Sequence, residues 1–201
     1  IREILESIDE NTISFAGGLP NEKLFPSEDL KNATLKIFDN PKVFQYGISN
    51  GINELRDKIA SRYTKEGFVT SKENILITTG SQQAMYILAK FFENQDITIE
   101  EPSYLGAMNI FRLNHLTMKG VKLENDGVDL EVFEKSFKQT KLAYLIPDFQ
   151  NPSATTYSDK KRERIAKIVE LEDGVLIEDS PYSELFFDKK NISISSKLPK
   201  N

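Results

Sequence analysis

Apolar residues along this chain gather into short runs, and the runs alternate with amphipathic stretches. Strand-like runs fall at Ile75–Thr79, Ile97–Glu100, Thr117–Leu123, Leu142–Ile146 and Val175–Glu178. Between them, apolar positions recur at helical spacing over Gln82–Phe92, Tyr104–Leu113, Leu130–Phe137 and Asp159–Glu170. Short apolar strands joined by helices are the pattern of parallel strands buried on both faces. The alternation therefore predicts an α/β fold, a mainly parallel sheet sandwiched by helices. Upstream, Ile52, Leu55, Ile59 and Tyr63 share one face of a helix that ends at Gly67. Another helix begins at Ser27, with Glu28 and Asp29 in its first turn, where the dipole favours acids. Ile4, Leu5 and Ile8 predict a short arm helix, followed by an extended run to Pro20 broken at Gly17 and Gly18. The basic cluster Lys160, Lys161, Arg162 and Arg164 reads as the solvated face of its helix.

Composition narrows the chemistry. With 201 residues and 39% hydrophobic content, the chain can bury a sizeable core. Its 31 acids against 26 bases give a net charge of −5, which argues against a nucleic-acid or polybasic membrane partner. Zero cysteines exclude disulfides and thiolate metal sites, and a single histidine, His115, leaves no polyhistidine site. No metal is expected. No run approaches the ~20 apolar residues of a membrane span and no signal-like segment is visible, so the expected location is the cytoplasm. The chain opens on Ile1 and not on methionine. That start suggests a trimmed chain or part of a longer product.

In open α/β sheets ligands bind beyond the carboxyl ends of the strands. Three such ends carry unusual polar residues. In the first, Ile75–Thr79 runs into Gly80, Ser81 and Gln82. A glycine turn feeding a helix N-terminus is a plausible phosphate cradle, or a plain serine cap. In the second, Pro147-Asp148-Phe149-Gln150 leads to Asn151, held extended by Pro152. Its amide is aimed at a ligand oxygen, or closes a turn on itself. In the third, Val175–Ile177 delivers Glu178 and Asp179, followed by Pro181 and Tyr182. Alternation lets only one of the two acids face a given side, where it either stabilises a cation or makes a structural bridge.

Taken together and in order, these features resemble the large domain of fold-type I pyridoxal-phosphate aminotransferases of class I/II. The similarity is to the aminoadipate, kynurenine and aromatic group. It runs from Ile1-Arg-Glu-Ile-Leu5 and Ile13–Pro20 through Glu101-Pro-Ser-Tyr104 and Phe149-Gln-Asn-Pro152 to Ile177–Leu185. The resemblance implies a pyridoxal 5'-phosphate cofactor. Its phosphate would lie at Gly80, Ser81 and Gln82. Tyr104 would stack on the ring, Asn151 and Tyr182 would bind its 3-oxygen, and Asp179 would pair with the pyridine nitrogen. Asp179 and Tyr182 are thus the catalytic candidates. Tyr46 resembles the tyrosine that reaches the neighbouring subunit's phosphate in a homodimer. Gly17 and Gly18 resemble the segment lying over the substrate, and the substrates implied are an L-amino acid and a 2-oxo acid.

Two departures stand out. The family's usual Asn-Pro-Thr-Gly is Asn151-Pro152-Ser153-Ala154 here, and Ala154 keeps the same backbone provided that positive φ is not needed. No Schiff-base lysine is found, because Ser195-Ser196-Lys197 follows Tyr182 too soon and lacks a preceding apolar strand. The expected organisation is an arm and partial small domain over 1–44 and an incomplete large domain over 45–201. The chain is expected to be the N-terminal half of such an enzyme, truncated and inactive alone. The alternatives are the effector domain of an aminotransferase-like transcription regulator, or a pyridoxal-phosphate lyase on the same fold.

Overall fold

The computed structural model describes residues 9, 12, 13, 18 and 20–198. The arm at Ile1–Ser7 and Gly17 lie outside the described residues. The chain divides into two compact units, Ile1–Gly47 and Ile48–Asn201. The first holds helix α1 (Ser27–Phe38), with Glu28 and Asp29 in its first turn. A short 3-10 turn at Pro41–Phe44 follows, and Phe44 meets Phe38 with ring centroids 5.6 Å apart.

The second unit is the α/β body. Its elements are α2 (Asn53–Lys65), α3 (Gly80–Phe91), β1 (Asp96–Glu101), α4 (Leu105–Leu113), β2 (Thr117–Glu124), β3 (Gly127–Val128), α5 (Leu130–Thr140), β4 (Leu142–Leu145), α6 (Asp159–Leu171) and β5 (Val175–Glu178). The strands form one sheet in the order β3-β2-β1-β4-β5. All neighbours are parallel except the β2–β3 hairpin. The order reverses at β1, whose neighbours are β2 on one side and β4 on the other. The crevice beyond the ends of β1 and β4 is therefore the switch point of the sheet.

Alternation divides the side chains between two cores. Ile97, Ile99, Leu142, Tyr144 and Ile146 pack with Met85 and Ala89 of α3 and Ala107, Ile110 and Phe111 of α4. On the other face Ala143, Leu145 and Val121 pack with Phe133 and Phe137 of α5 and Ile165, Ala166 and Val169 of α6. Phe133 and Phe137 are fully buried and stack at 5.5 Å. Each such side chain contributes about 1.5–3 kcal/mol by leaving water. The helix starts follow from local chemistry. Asp129 Oδ1 accepts the Glu131 and Val132 N–H groups at 3.0 and 3.1 Å, and Ser158 accepts that of Lys161.

Two expectations need correction, and one strand was not expected at all. Ile75–Thr79 is not a strand of the sheet. Among the described residues no strand lies beside it, and the Ile77 N–H donates instead to the Asn50 carbonyl at 3.0 Å. β3 has only two residues, too few to show a pattern. The second correction concerns the basic cluster, which is not a solvated face throughout. Arg162 is 0% exposed and Lys161 7%. Arg162 pairs with Asp148 Oδ1 at 2.7 Å and donates to the Pro147, Tyr157 and Ile192 carbonyls. Lys161 pairs with Glu124 and Asp126 and donates to the Val128 carbonyl at 2.7 Å. A helix facing a sheet rim rich in carbonyls buries cations that a charge count places in water.

Breaking this buried pair from one side is costly, because the partner keeps its charge out of water. Arg162→Met should lower unfolding free energy by about 3–5 kcal/mol in a denaturant titration. Arg162→Met combined with Asp148→Leu should recover part of that loss, since no unpaired charge then remains buried.

Candidate functional site

The site is assembled where β1, β4 and β5 end. β1 leads through Pro102 and Ser103 to Tyr104, which precedes the first residue of α4. Tyr104 bends over its own helix. A Cβ built on Gly106 would lie 2.5 Å from the Tyr104 ring, so only glycine admits the ring there. Gln82, in the first turn of α3, donates through Nε2 to the Tyr104 hydroxyl at 3.4 Å. Gly80 turns with φ +74° to start α3; the Thr79 side chain makes no cap bond, and the Thr79 N–H donates to Gln83 Oε1 at 2.6 Å. The Gly80 N–H donates to the Thr78 carbonyl at 3.0 Å, while Ser81 and Gln82, the next residues of the first turn, are exposed near Tyr104. The expected cradle residues and the expected stacking residue are thus together.

Asp179 follows β5 and is held by its own N–H, which donates to the Leu145 carbonyl at 2.9 Å. Its carboxylate accepts the Tyr144 hydroxyl at 2.7 Å. Tyr144 stands on β4 with its ring edge-on to Phe111 of α4, so Asp179 shares the face of α3 and α4. Burial raises the Asp179 carboxyl above its usual range, and the bond from Tyr144 works against that rise. Burial, together with the charge of Asp179, pushes the Tyr144 phenol far up, so the hydroxyl stays a donor. No cation accompanies Asp179 among the described residues. A half-buried carboxylate with one neutral donor and no counter-charge is matched by a cationic ring N–H.

Glu178 faces the other way. It accepts the Ile194 and Ser195 N–H groups at 2.9 and 2.8 Å and so ties down the segment after β5. Lys197 lies on that side, 3.4 Å from Glu163 of α6. It therefore stands across the sheet from Asp179.

Asn151 is half-buried, and its side chain has no hydrogen-bond partner among the described residues, so the self-closing turn does not form. Tyr182 is half-buried in the turn after Pro181, where its carbonyl accepts the Leu185 N–H at 2.9 Å. Ala154 has φ +59°, so the condition set for an alanine here is not met and the residue adopts positive φ. The loop closes there all the same, with the Ala154 N–H donating to the Gln150 carbonyl at 2.6 Å. Tyr46 and Gly18 belong to the first unit, where both are exposed.

The expectations from sequence missed Tyr144, Glu100, Gln150 and Tyr157. Glu100 is 1% exposed at the end of β1 and accepts from Ile146 N at 3.0 Å, Gln150 Nε2 at 2.9 Å and Tyr157 Oη at 2.7 Å. Burial pushes its carboxyl up to about 7, against those three hydrogen bonds, which lower it. The available signal was an acid embedded in the apolar run Ile97–Ile99. A separate cavity of about 290 Å³ is lined by Arg62, Glu66, Glu184 and Lys190 among others. Its ionic groups already pair with one another, Arg62 with Glu184 and Lys190 with Glu66, which leaves no charge for a ligand.

Comparison with known proteins gives these relations. Residues 11–199 match the family described as aminotransferase class I and II. The 2-aminoadipate transaminase of Thermus thermophilus is 35% identical over 96% of this chain and 49% of its own length. The crystal structure of the kynurenine aminotransferase of Pyrococcus horikoshii in complex with PMP superposes with a TM-score of 0.89 at 30% identity. That match covers 99% of this chain and 52% of the other. The HTH-type transcriptional regulator YdcR of Escherichia coli is 28% identical over 92% of this chain and 41% of its own length. The chain spans about half the length of the curated relatives it matches.

Two outcomes follow from this geometry. The folded pKa of Glu100 lies above its ordinary 4.5, so its contribution to stability is full below about pH 4.5 and is lost as pH rises through about 7. That loss should amount to roughly 3 kcal/mol. Urea titrations of Glu100→Gln should show a much flatter pH dependence over this window. Ala154→Gly should raise the unfolding free energy by up to about 1 kcal/mol, because a Cβ is penalised at positive φ.

Proposed function

This chain belongs to the class I and II aminotransferases, and we propose that it supplies the cofactor cradle of a pyridoxal-phosphate aminotransferase. The observation that carries the reading is Asp179, a half-buried carboxylate with no cation among the described residues, on the same face as Tyr104 and the N-terminus of α3. When bound, pyridoxal phosphate supplies an electron sink for a carbanion at the carbon bearing the amino group.

The residues of this chain divide the work of holding it. At the N-terminus of α3, Gly80 turns the chain and the first turn with Ser81 and Gln82 offers N–H groups and a positive dipole end to the phosphate. Tyr104 presents an aromatic face to the ring. Asn151 offers its amide and Tyr182 its phenol to the 3-oxygen. Asp179 keeps a proton on the ring nitrogen, and Tyr144 holds Asp179 in place by its 2.7 Å bond. Tyr46 is assigned to the phosphate of a second subunit in a homodimer, and Gly17 and Gly18 to the segment over the substrate. The donor is an L-amino acid and the acceptor a 2-oxo acid, in the cytoplasm. No helix among the described residues is long and apolar enough to cross a membrane. The same cradle suits a β-eliminating lyase. The regulator relative supports a second reading, an effector domain that binds the cofactor without turnover.

Lys197 is engaged with Glu163 on the opposite face, so we assign the 201-residue chain cofactor binding without transamination of its own. Equilibrium dialysis should show saturable binding of pyridoxal phosphate. Asn151→Ala should weaken it roughly tenfold, the equivalent of one hydrogen bond to a charged group. Absence of saturable binding refutes the reading. Turnover of an amino acid by the chain alone would refute the assignment of inactivity, and turnover without any 2-oxo acid would favour the lyase.

A further inference from the structure

Gln150 is 1% exposed, and every polar atom of its side chain is engaged. Nε2 donates to Glu100 Oε2 at 2.9 Å and to the Pro102 carbonyl at 2.8 Å. Oε1 accepts the Ser153 N–H at 2.8 Å and the Ser153 hydroxyl at 2.7 Å. One planar amide therefore bridges two segments 48 residues apart in sequence. The first segment is the exit of β1, which reaches Tyr104 two residues after Pro102. The second is the turn that carries Asn151, the next residue in the chain. The main chain of that turn is closed on itself, with Gln150 N donating to the Thr155 carbonyl at 2.9 Å. The Gln150 side chain is thus its tie to the end of β1.

The tie is made from behind the candidate site. Glu100 follows Ile99 on β1 and turns to the opposite face, where it meets Tyr157 of the α5–α6 core. Tyr104 and Asp179 lie with α3 and α4. Gln150 therefore leaves the ligand-facing side clear, and its geometry is set by four bonds of 2.7–2.9 Å. Groups that must act together on one ligand need their relative placement held to about 0.5 Å, which a buried and fully bonded amide provides.

We propose that Gln150 is a positioning residue that sets the placement of Asn151 relative to Tyr104. The inference rests on the cofactor reading, for which those two residues are the ring-binding pair from separate loops. It extends that reading to a side chain that does not touch the ligand.

The test uses the isotope-labelled 201-residue chain, first without ligand and then with pyridoxal phosphate. In ligand-free spectra, Gln150→Met should shift both the Asn151 side-chain amide signals and the Tyr104 backbone amide signal. Ser153→Ala removes one exposed hydroxyl, and it should shift the Asn151 signals while leaving Tyr104 in place. Pyridoxal phosphate affinity should fall roughly tenfold in Gln150→Met and less than threefold in Ser153→Ala. If Gln150→Met does not fold, Glu100→Gln, which replaces the acceptor of Nε2, should shift both reporters. The proposal is overturned if folded Gln150→Met, or Glu100→Gln in its place, leaves the Tyr104 signal at its wild-type position. Wild-type affinity in folded Gln150→Met overturns it as well. If the unmutated chain fails to bind pyridoxal phosphate, the cofactor reading fails by itself, and the ligand-free spectra still decide whether Gln150 couples the two loops.

Discussion

Beyond the end of β4 the chain runs from Pro147 to Tyr157 without regular secondary structure, yet most of this stretch is buried or half-buried. Backbone polar groups in such a place must find partners other than a ladder. Some pair within the stretch, as Gln150 N with the Thr155 carbonyl and Tyr157 N with the Pro147 carbonyl, and three buried side chains tie the stretch to its surroundings. Glu100 accepts from Ile146 N and Tyr157 Oη, Gln150 spans to Pro102, and Arg162 takes the Pro147 and Tyr157 carbonyls. Burying two carboxylates and a guanidinium is tolerated because Arg162 pairs with Asp148 while Glu100 collects three donors. The loop that carries Asn151 depends on this polar core, and Tyr104 is joined to it through Gln150.

The end of β5 shows how one constraint serves two purposes. Successive strand residues point to opposite faces, so the adjacent acids Glu178 and Asp179 are forced apart. Glu178 captures the Ile194 and Ser195 amides and closes the core on the side of α6. Asp179 receives the Tyr144 hydroxyl on the side of α3 and α4 and keeps its charge free of cations among the described residues. The same alternation explains Lys197, which follows the structural acid and is therefore carried to Glu163.

Much of the site was legible in the chain before any coordinates. Tyr104, Asn151, Asp179 and Tyr182 follow the ends of β1, β4 and β5, where an open sheet leaves its crevice, while Gly80-Ser81-Gln82 follow an apolar run that is not a strand of the sheet. The structure sets Gln82 against Tyr104 and leaves the Asn151 amide without a hydrogen-bond partner among the described residues. The residues behind the crevice were not legible. Arg162 sits in a basic cluster and reads as solvated, although it is wholly buried. Gln150 and Tyr157 carry no pattern of their own, because their partners Glu100 and Pro102 are about 50 residues away.

Periodicity and the order of the strand ends determined the α/β class, the burial of β1 and β4 and the candidate residues at the crevice. Both are local properties, since an apolar run and the turn after it can be read within a dozen residues. Tertiary structure alone decided three other matters. Ile75–Thr79 stays outside the sheet because its Ile77 N–H is given to Asn50. Ala154 accepts φ +59° because the turn around it is closed by Gln150. The charges of Arg162 and Glu100 are buried because their partners arrive from other strands and loops. The first and third outcomes depend on contacts between segments distant in sequence, which no pattern confined to one segment encodes; the second depends on backbone geometry within one turn, which residue type alone does not specify.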